Sequence, residues 1–306
     1  MYNIVEYAER GAGMTVCEKA YAKINLFLDV TARRDDGFHD ILSVMHSVSL
    51  ADLISVDADY SDETRILLST DSSDLSPDSS NLAYKAAEKY LDYFGIKADV
   101  SIRLEKHIPI GAGLGGGSSD AAATLRALNR IFKKADTEQL IELASELGSD
   151  VPFCVVGGAS VCVGRGETFN QLSTTQKFDF VIAIGEGRIS TPKAYAALDE
   201  LYNNFLSPRD PMVHSYAQRI VDMMENDAFD IPHYNVFEDV IKLDEISKIK
   251  EIMIKNEAEY TLMSGSGPSV FGRFKSRPDC ERALEILKSN GFSAFMCHSV
   301  YPEVNI

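Results

Sequence analysis

The residues whose types and spacing best suit chemistry lie in the stretch 109–125, PIGAGLGGGSSDAAATL. Gly111, Gly113, Gly115, Gly116 and Gly117 let the backbone take positive φ and lie against a ligand with no Cβ in the way. Ser118, Ser119 and Asp120 then open an alanine-rich run in which Leu125, Leu128, Ile131 and Phe132 recur at helical spacing. Residues 100–110, ahead of the loop, have β-type composition and carry Pro109 near their end. The order is strand, glycine loop, helix start. A helix start presents backbone N–H groups that lack helical partners, together with the positive end of the helix dipole, and so suits a phosphate.

Two better-known loops are excluded. A P-loop needs Lys directly before its Ser or Thr, and Gly117 occupies that place. Gly111, Gly113 and Gly116 match GxGxxG, but a dinucleotide fold next requires a strand ended by an acid. The chain instead continues into a second helix-like run, 137–147. The plain alternative is a flexible surface turn, against which stands the ordered succession of glycines, paired serines and helix.

Two further groups are candidates. Lys23 and Asn25 lie two apart, so on a strand they share a face, although a solvated edge with Ile24 and Leu26 turned inward explains them as well. Asp150 sits between Gly148 and Pro152 on a short turn, where an Asp most often bonds local backbone N–H groups.

The elements that must hold these groups emerge from patterning. Residues 16–30 are strand-like from Ile24 onward. Residues 59–80 are rich in Ser, Asp and Thr and predict a solvent-facing hairpin and loop. Asn81 suits the N-cap of a helix over 82–94. Two apolar runs about Gly157 and Gly158 predict a hairpin over 153–163. A buried-type strand over 178–184 opens the second half, and Thr191 with Pro192 predicts the start of a helix carrying Tyr195 on its first turn. Helical periodicity recurs over 214–226, 243–256 and 279–290, with short strands over 260–263 and 270–274 and a last strand over 292–300. With the two inserted helical segments set aside, the second half reads β-α-β-β-α-β, the ferredoxin-like order.

A chain of 306 residues can bury a sizeable core, and its formal charge of −16 argues against a nucleic-acid partner. Such a protein must gather cations locally to handle phosphates, and Lys23, Arg33, Arg34, Lys106 and His107 are the candidates. Five cysteines without CxxC or metal-type spacing suit buried thiols in a reducing cytoplasm. Six scattered histidines give no metal motif, and no apolar run reaches the length of a membrane span. Residues 1–13 read as a short appended tail rather than a targeting peptide.

The 109–125 loop resembles the ATP-binding motif of the GHMP kinases, the superfamily of galactokinase, homoserine kinase and mevalonate kinase. Other segments, AKINLFLDV at 22–30, RRDDGFHDI at 33–41, GSDVP at 148–152, the Thr-Pro segment at 191–195 and MSGSGPSVFGRF at 263–274, look like signatures of one branch. The acceptor of that branch is a cytidine diphosphate-linked methylerythritol. The resemblance implies an α+β, two-domain GHMP kinase fold: an N-terminal ribosomal-protein-S5-domain-2-like, ATP-binding domain over 1–172, and a C-terminal ferredoxin-like domain with helical insertions over 173–306.

It implies ATP contacts at Asn81, Lys106, Pro109, Gly111, Gly113, Leu114, Gly115, Gly116, Gly117, Ser118 and Ser119. Acceptor contacts fall on Asn25, Phe38, His39, Asp150, Thr191 and Tyr195, with Asp150 as catalytic base and Lys23 as its partner. Phe38 replaces the usual Tyr, which keeps a stacking face and loses the phenol hydroxyl. The segment YNVFE has Val236 where the family often has Asp, so Asn235 and Glu238 are assigned no chemistry. Mg²⁺ is expected with ATP, held by Ser118 or Ser119, phosphate oxygens and water rather than by a dedicated metal site. The resemblance further implies a small-molecule kinase working without nucleic acid or membrane, as a monomer or weak homodimer. The alternatives are a sister kinase acting on homoserine or mevalonate, or a nucleotide-binding regulator without turnover. Retention of both Lys23 and Asp150 speaks against the regulator.

Overall fold

The structure is a computed structural model that describes residues 9–10, 13–174, 176–185, 187, 190–203, 215–216, 219–220 and 231–301. A two-residue strand β1 (Glu9–Arg10) pairs antiparallel with β2 (Gly13–Arg33), which pairs antiparallel with β3 (His39–Tyr60). From Ala22 to Val30 every residue of β2 is buried, so this strand is covered on both faces, Lys23, Asn25 and Asp29 included. Three register shifts, between Tyr21 and Lys23, Asn25 and Phe27, and Val30 and Ala32, interrupt the β2–β3 ladder and re-aim the side chains beside them.

The predicted hairpin over 59–80 is not formed. Strand β4 (Arg65–Thr70) pairs in parallel with β5 (Ala98–Glu105), which lies between it and β3. The reason is α1 (Leu82–Phe94), which buries Ala83, Ala86, Ala87, Tyr90 and Leu91 and serves as the crossover that parallel neighbours require. Asn81 caps α1 as expected, its side-chain oxygen accepting from the Ala83 N–H at 2.9 Å.

After β5 come α2 (Gly116–Phe132), α3 (Thr137–Ser145) and α4 (Val151–Val156), then β6 (Ala159–Gly164) and β7 (Thr168–Gln171). Ala121, Ala122, Ala123 and Ala127 are fully buried, and their small side chains let α2 lie close on β2, α1 and α4. The predicted hairpin over 153–163 is corrected too: its first run is α4 and only its second is a strand, β6, paired with β3. A short apolar run does not distinguish strand from helix by composition, and Pro152 falls in the first turn, where its missing N–H costs nothing.

The second half contains β8 (Asp179–Ile184) and, beyond α5 (Thr191–Leu201), the short β9 (Tyr234–Asn235) and α6 (Asp244–Lys255), the strands β10 (Tyr260–Met263), β11 (Ser269–Phe274) and, after α7 (Arg277–Ser289), β12 (Ser293–His298). The order of its antiparallel sheet, β10-β11-β8-β12, is the predicted ferredoxin-like arrangement. The N-cap of α5 is Ser190 rather than Thr191. The predicted helix over 214–226 lies largely outside the described residues, as does most of the predicted tail over 1–13. Strand β9 belongs to the first sheet, pairing in parallel with β2 at Phe27 and Leu28, and Val48 of β3 bridges to Ser299. The β9 pairing brings the second half of the chain against the strand that carries Lys23.

Asn129, buried in the last turn of α2, anchors the helix end. Its Oδ1 accepts from the Tyr90 hydroxyl at 2.9 Å and the Ala135 N–H at 2.8 Å, and its Nδ2 donates to the Ala135 carbonyl at 3.0 Å. Asn129→Ala leaves these groups unpaired and is expected to cost roughly 2–4 kcal/mol, read as a lower denaturant midpoint at unchanged slope. A midpoint equal to that of the parent would show that the anchor is dispensable.

Candidate active site

The glycine loop is pinned between β2 and the turn that joins β10 to β11. The Lys23 N–H donates to the Leu114 carbonyl at 2.9 Å, the Ser264 hydroxyl to the Gly113 carbonyl at 3.1 Å, and the Ser269 hydroxyl to the Ala112 carbonyl at 2.6 Å. Space dictates glycine: a Cβ at Gly113 would stand 2.3 Å from the Ser264 carbonyl oxygen, and one at Gly115 would stand 2.8 Å from Cγ of Lys23. A Cβ at Gly111 would meet nothing within 4 Å. Some of these glycines therefore admit neighbouring protein, while Gly111 leaves backbone open to a ligand.

Helix α2 begins at the loop with Gly115 as N-cap, in the left-handed region and without a side-chain cap. Its first amides face a cavity of about 380 Å³ whose lining includes Asn81, Lys106 and Pro109 and, along the loop, Gly111, Gly113, Leu114, Gly115, Gly116, Gly117 and Ser118. A second cavity, of about 660 Å³, shares Gly113, Gly115 and Ser118 with the first. Of the residues predicted on the ATP side, Ser119 alone lines neither cavity. Its buried hydroxyl donates to the Tyr21 carbonyl at 2.6 Å, tying α2 to β2.

The Lys106 side chain is largely covered. Its ammonium is shared between Asp52 and Asp120, the latter at 2.8 Å. Asp52, fully buried, also accepts from the His107 and Ile108 N–H groups at 2.5 and 2.7 Å, which fixes the path of the chain into the loop. Burial pushes the Asp120 carboxyl up to about 7, against the pull of Lys106 and with the help of neighbouring Asp52.

In the second cavity Lys23 Nζ, with a side chain 6% exposed, lies 3.3 Å from Asp150 Oδ2 and donates to Asn25 Oδ1 at 2.8 Å. Lys23 and Asn25 thus share a face as the sequence suggests. Asn25 Oδ1 also accepts from the Gly265 N–H at 3.0 Å, and its Nδ2 donates to the Ser43 hydroxyl at 2.8 Å. Asp150 stands at the N-cap of α4 yet makes no side-chain cap hydrogen bond, so the ordinary local use of an Asp in such a turn does not apply. Its carboxylate, 29% exposed, is offered to the cavity.

The far wall is aromatic. Phe38 is 54% exposed, with the Arg165 guanidinium 5.2 Å from its ring centre. His39 stacks on Tyr195 at 4.5 Å, and Tyr195 packs edge-on against Phe237 at 5.0 Å. Burial pushes the Tyr195 phenol up to about 12, so it stays protonated at neutral pH. Thr191 reaches the Ser266 hydroxyl at 2.9 Å. The cavity therefore gathers Asn25, Phe38, His39, Asp150, Thr191 and Tyr195, together with Lys23. Arg33 and Arg34, predicted as phosphate-gathering cations, make ion pairs with Asp199 and with Asp36 and Asp40, beside the 33–40 turn.

Two residues assigned no chemistry shape the site. Asn235 Nδ2 donates to the Met263 and Gly265 carbonyls at 2.6 and 2.9 Å, and Glu238 accepts from the Met263 N–H at 2.7 Å. They set the turn whose Gly265 amide reaches Asn25. Their signal was the partial YNVFE match; Asp52 and Asp199 carry no sequence signal.

The family model for the GHMP kinases N terminal domain matches residues 81–158, and that for the GHMP kinases C terminal matches 217–293. A protein of Caldicellulosiruptor saccharolyticus named 4-diphosphocytidyl-2-C-methyl-D-erythritol kinase is 41% identical over 274 residues, covering 88% of this chain and 92% of its own. One of the same name from Exiguobacterium sibiricum is 42% identical over 294 residues, covering 94% and 97%. A crystal structure of 4-(cytidine 5'-diphospho)-2C-methyl-D-erythritol kinase is similar with a TM-score of 0.75 and 32% identity, covering 93% of this chain and 99% of that one.

The packing of the loop predicts a ranking. Gly113→Ala meets a backbone carbonyl and is expected to destabilise the chain by several kcal/mol, whereas Gly111→Ala, in open space at φ +71°, suffers only the left-handed strain of about 1 kcal/mol. Denaturation of both variants checks this. Equal losses would contradict the tight seating of the loop on Ser264.

Proposed function

The chain belongs to the 4-diphosphocytidyl-2-C-methyl-D-erythritol kinases of the GHMP kinase superfamily, and from that premise we infer how its residues share the work. It is a phosphotransferase that moves the γ-phosphoryl group of ATP to the 2-hydroxyl of 4-diphosphocytidyl-2-C-methyl-D-erythritol, giving the 2-phosphate and ADP in the non-mevalonate route to isoprenoid precursors. The observation that carries our assignment of roles is the Asp150 carboxylate: released from capping, held by Lys23, and exposed in the cavity that shares its loop residues with the α2 N-terminus.

Phosphoryl transfer leaves the protein mainly alignment and charge stabilisation. We propose that the ATP phosphates lie along residues 111–118, where backbone amides and the dipole of a 17-residue helix favour negative charge. Asn81, Lys106 and Pro109 then line the nucleoside side. Asp150 orients the acceptor hydroxyl and takes its proton as the bond to phosphorus forms. Lys23 keeps that carboxylate in line, and Asn25 keeps Lys23 in place through its bonds to Ser43 and Gly265. Phe38 and Tyr195 offer faces to the cytosine ring, His39 a polar edge, and Thr191 a hydroxyl beside Ser266.

Among the described residues no group of three or more His, Cys, Asp or Glu could hold a metal ion. The Ser118 hydroxyl lines both cavities and fits Mg²⁺ that arrives with ATP and keeps waters and phosphate oxygens as its other ligands. When bound, the ion neutralises phosphate charge. A small acceptor such as homoserine or mevalonate would have no use for the aromatic wall.

The proposed division into an ATP-binding part, 1–172, and a substrate-side part, 173–306, is supported by the two sheets and by the spans of the two family models. We propose that the chain works as a monomer or weak homodimer. The five cysteines are free thiols, which suits a reducing cytoplasm, and no described helix is long and apolar enough to cross a membrane.

ADP release with Mg·ATP and 4-diphosphocytidyl-2-C-methyl-D-erythritol tests the assignment. Asp150→Asn is expected to lower kcat by about 10²–10⁴ with little change in either KM. Phe38→Ala is expected to raise the acceptor KM about tenfold, the worth of one base–aromatic stack, and to leave the KM for ATP alone. Turnover of homoserine or mevalonate but not of the cytidylyl acceptor would overturn the substrate reading. ATP binding without turnover of any acceptor would favour a regulator.

A further inference from the structure

We infer that Arg126 is a positioning residue for phosphoryl transfer: from α2 it clasps the far end of α4 to β2 and so sets Asp150 against Lys23. The inference rests on the proposed role of Asp150 as base and extends it to a residue that lines neither cavity.

Helix α4 has six residues and is about 9 Å long, with Asp150 at its N-cap. A helix this short is nearly all ends. The carbonyls of its last turn lack helical partners, so its direction follows whatever satisfies them. Arg126 does so: Nη1 donates to the Cys154 carbonyl at 2.8 Å and to the Val155 carbonyl at 3.3 Å.

The other arms of the guanidinium hold the strand. Nη2 donates to the Lys19 carbonyl of β2 at 3.0 Å, and Nε donates to Glu18 Oε2 at 3.1 Å. Arg130 Nε lies 2.9 Å from the other Glu18 oxygen, so the carboxylate that steadies Arg126 is itself held. The Arg126 side chain is 13% exposed and that of Glu18 8%, which shelters these charge-assisted bonds from water. A planar guanidinium fixes the angles between its donors, and one fork therefore sets the end of α4 relative to the strand just ahead of Lys23.

A second tie runs between the same elements. Ser119 and Arg126 are i and i+7, two turns apart on one face of α2. The Ser119 hydroxyl donates to the Tyr21 carbonyl of β2 at 2.6 Å and lies 3.5 Å from Cys154 Sγ of α4. The circuit closes at the site, where Lys23 Nζ stands 3.3 Å from Asp150 Oδ2 and the Lys23 N–H holds the glycine loop at Leu114. Loss of the fork frees the end of α4 to shift against β2, and the shift reaches the carboxylate at its start.

A double-mutant cycle on the full chain tests this, reading kcat and KM with Mg·ATP and 4-diphosphocytidyl-2-C-methyl-D-erythritol. Arg126→Met keeps the apolar stem and removes the fork. It is expected to lower kcat about 10- to 100-fold, with both KM values within about twofold of the parent. In the Asp150→Asn background the same substitution is expected to lower kcat by less than about twofold, because groups that act as a unit are not additive. Arg126→Lys keeps a charge beside Glu18 without the fork and is expected to lose most of the same activity. An equal loss with and without the Asp150 carboxylate overturns the proposal, as does parent-like kcat in either Arg126 variant. Absence of a cooperative thermal transition in both variants also overturns it, since the clasp would then be structural. An Asp150→Asn variant as active as the parent overturns the reading of Asp150 as base, and this proposal with it.

Discussion

The arrangement depends on a lysine kept out of water in a chain of net charge −16. Lys23 is almost fully buried, and an ammonium group in that position is tolerable only if its charge and its donors are met. Asp150 meets the charge and Asn25 takes one donor. Each element of the first half contributes to this contact. The register shifts in β2 aim Lys23 and Asn25, Gly115 leaves room for the lysine stem, and the short helix α4 starts from Asp150. The second half contributes the Gly265 amide, which donates to Asn25 beside the pair.

The same economy explains how an acidic protein can accept two polyanionic ligands. Its half-buried cations are neutralised in place: Lys106 between Asp52 and Asp120, Arg126 and Arg130 by Glu18. Attraction for phosphate falls instead to the backbone amides and dipole at the start of α2, which carry no formal charge and need no partner when the site is empty. This suits an enzyme that must release ADP as well as bind ATP.

Much of this was legible in the sequence because it is local. The glycine loop and its helix, the Asn81 cap, the shared face of Lys23 and Asn25 and the ferredoxin-like order are all encoded in short-range spacing and patterning. The failures are of two kinds. At 59–80 and 153–163 the local pattern was ambiguous, and tertiary structure decided: α1 makes β4 and β5 parallel neighbours, and Pro152 starts a helix where two apolar runs suggested strands. At Asp52, Asp199, Asn235 and Glu238 the function lies in pairing across long separations, such as His39 with Asp199, which no periodicity encodes. The family resemblance supplied Asp150, whose ordinary reading as a local backbone acceptor is set aside only by its lack of a capping bond.

The central claim is that Asp150, held by Lys23, receives the acceptor hydroxyl proton beside the glycine loop. A crystal structure with a non-hydrolysable ATP analogue, Mg²⁺ and 4-diphosphocytidyl-2-C-methyl-D-erythritol addresses it most directly. The account predicts the 2-hydroxyl oxygen about 3 Å from an Asp150 carboxylate oxygen and in line with a γ-phosphate lying over residues 111–118. A hydroxyl well beyond hydrogen-bond reach of Asp150, with another side chain at that position, would contradict it.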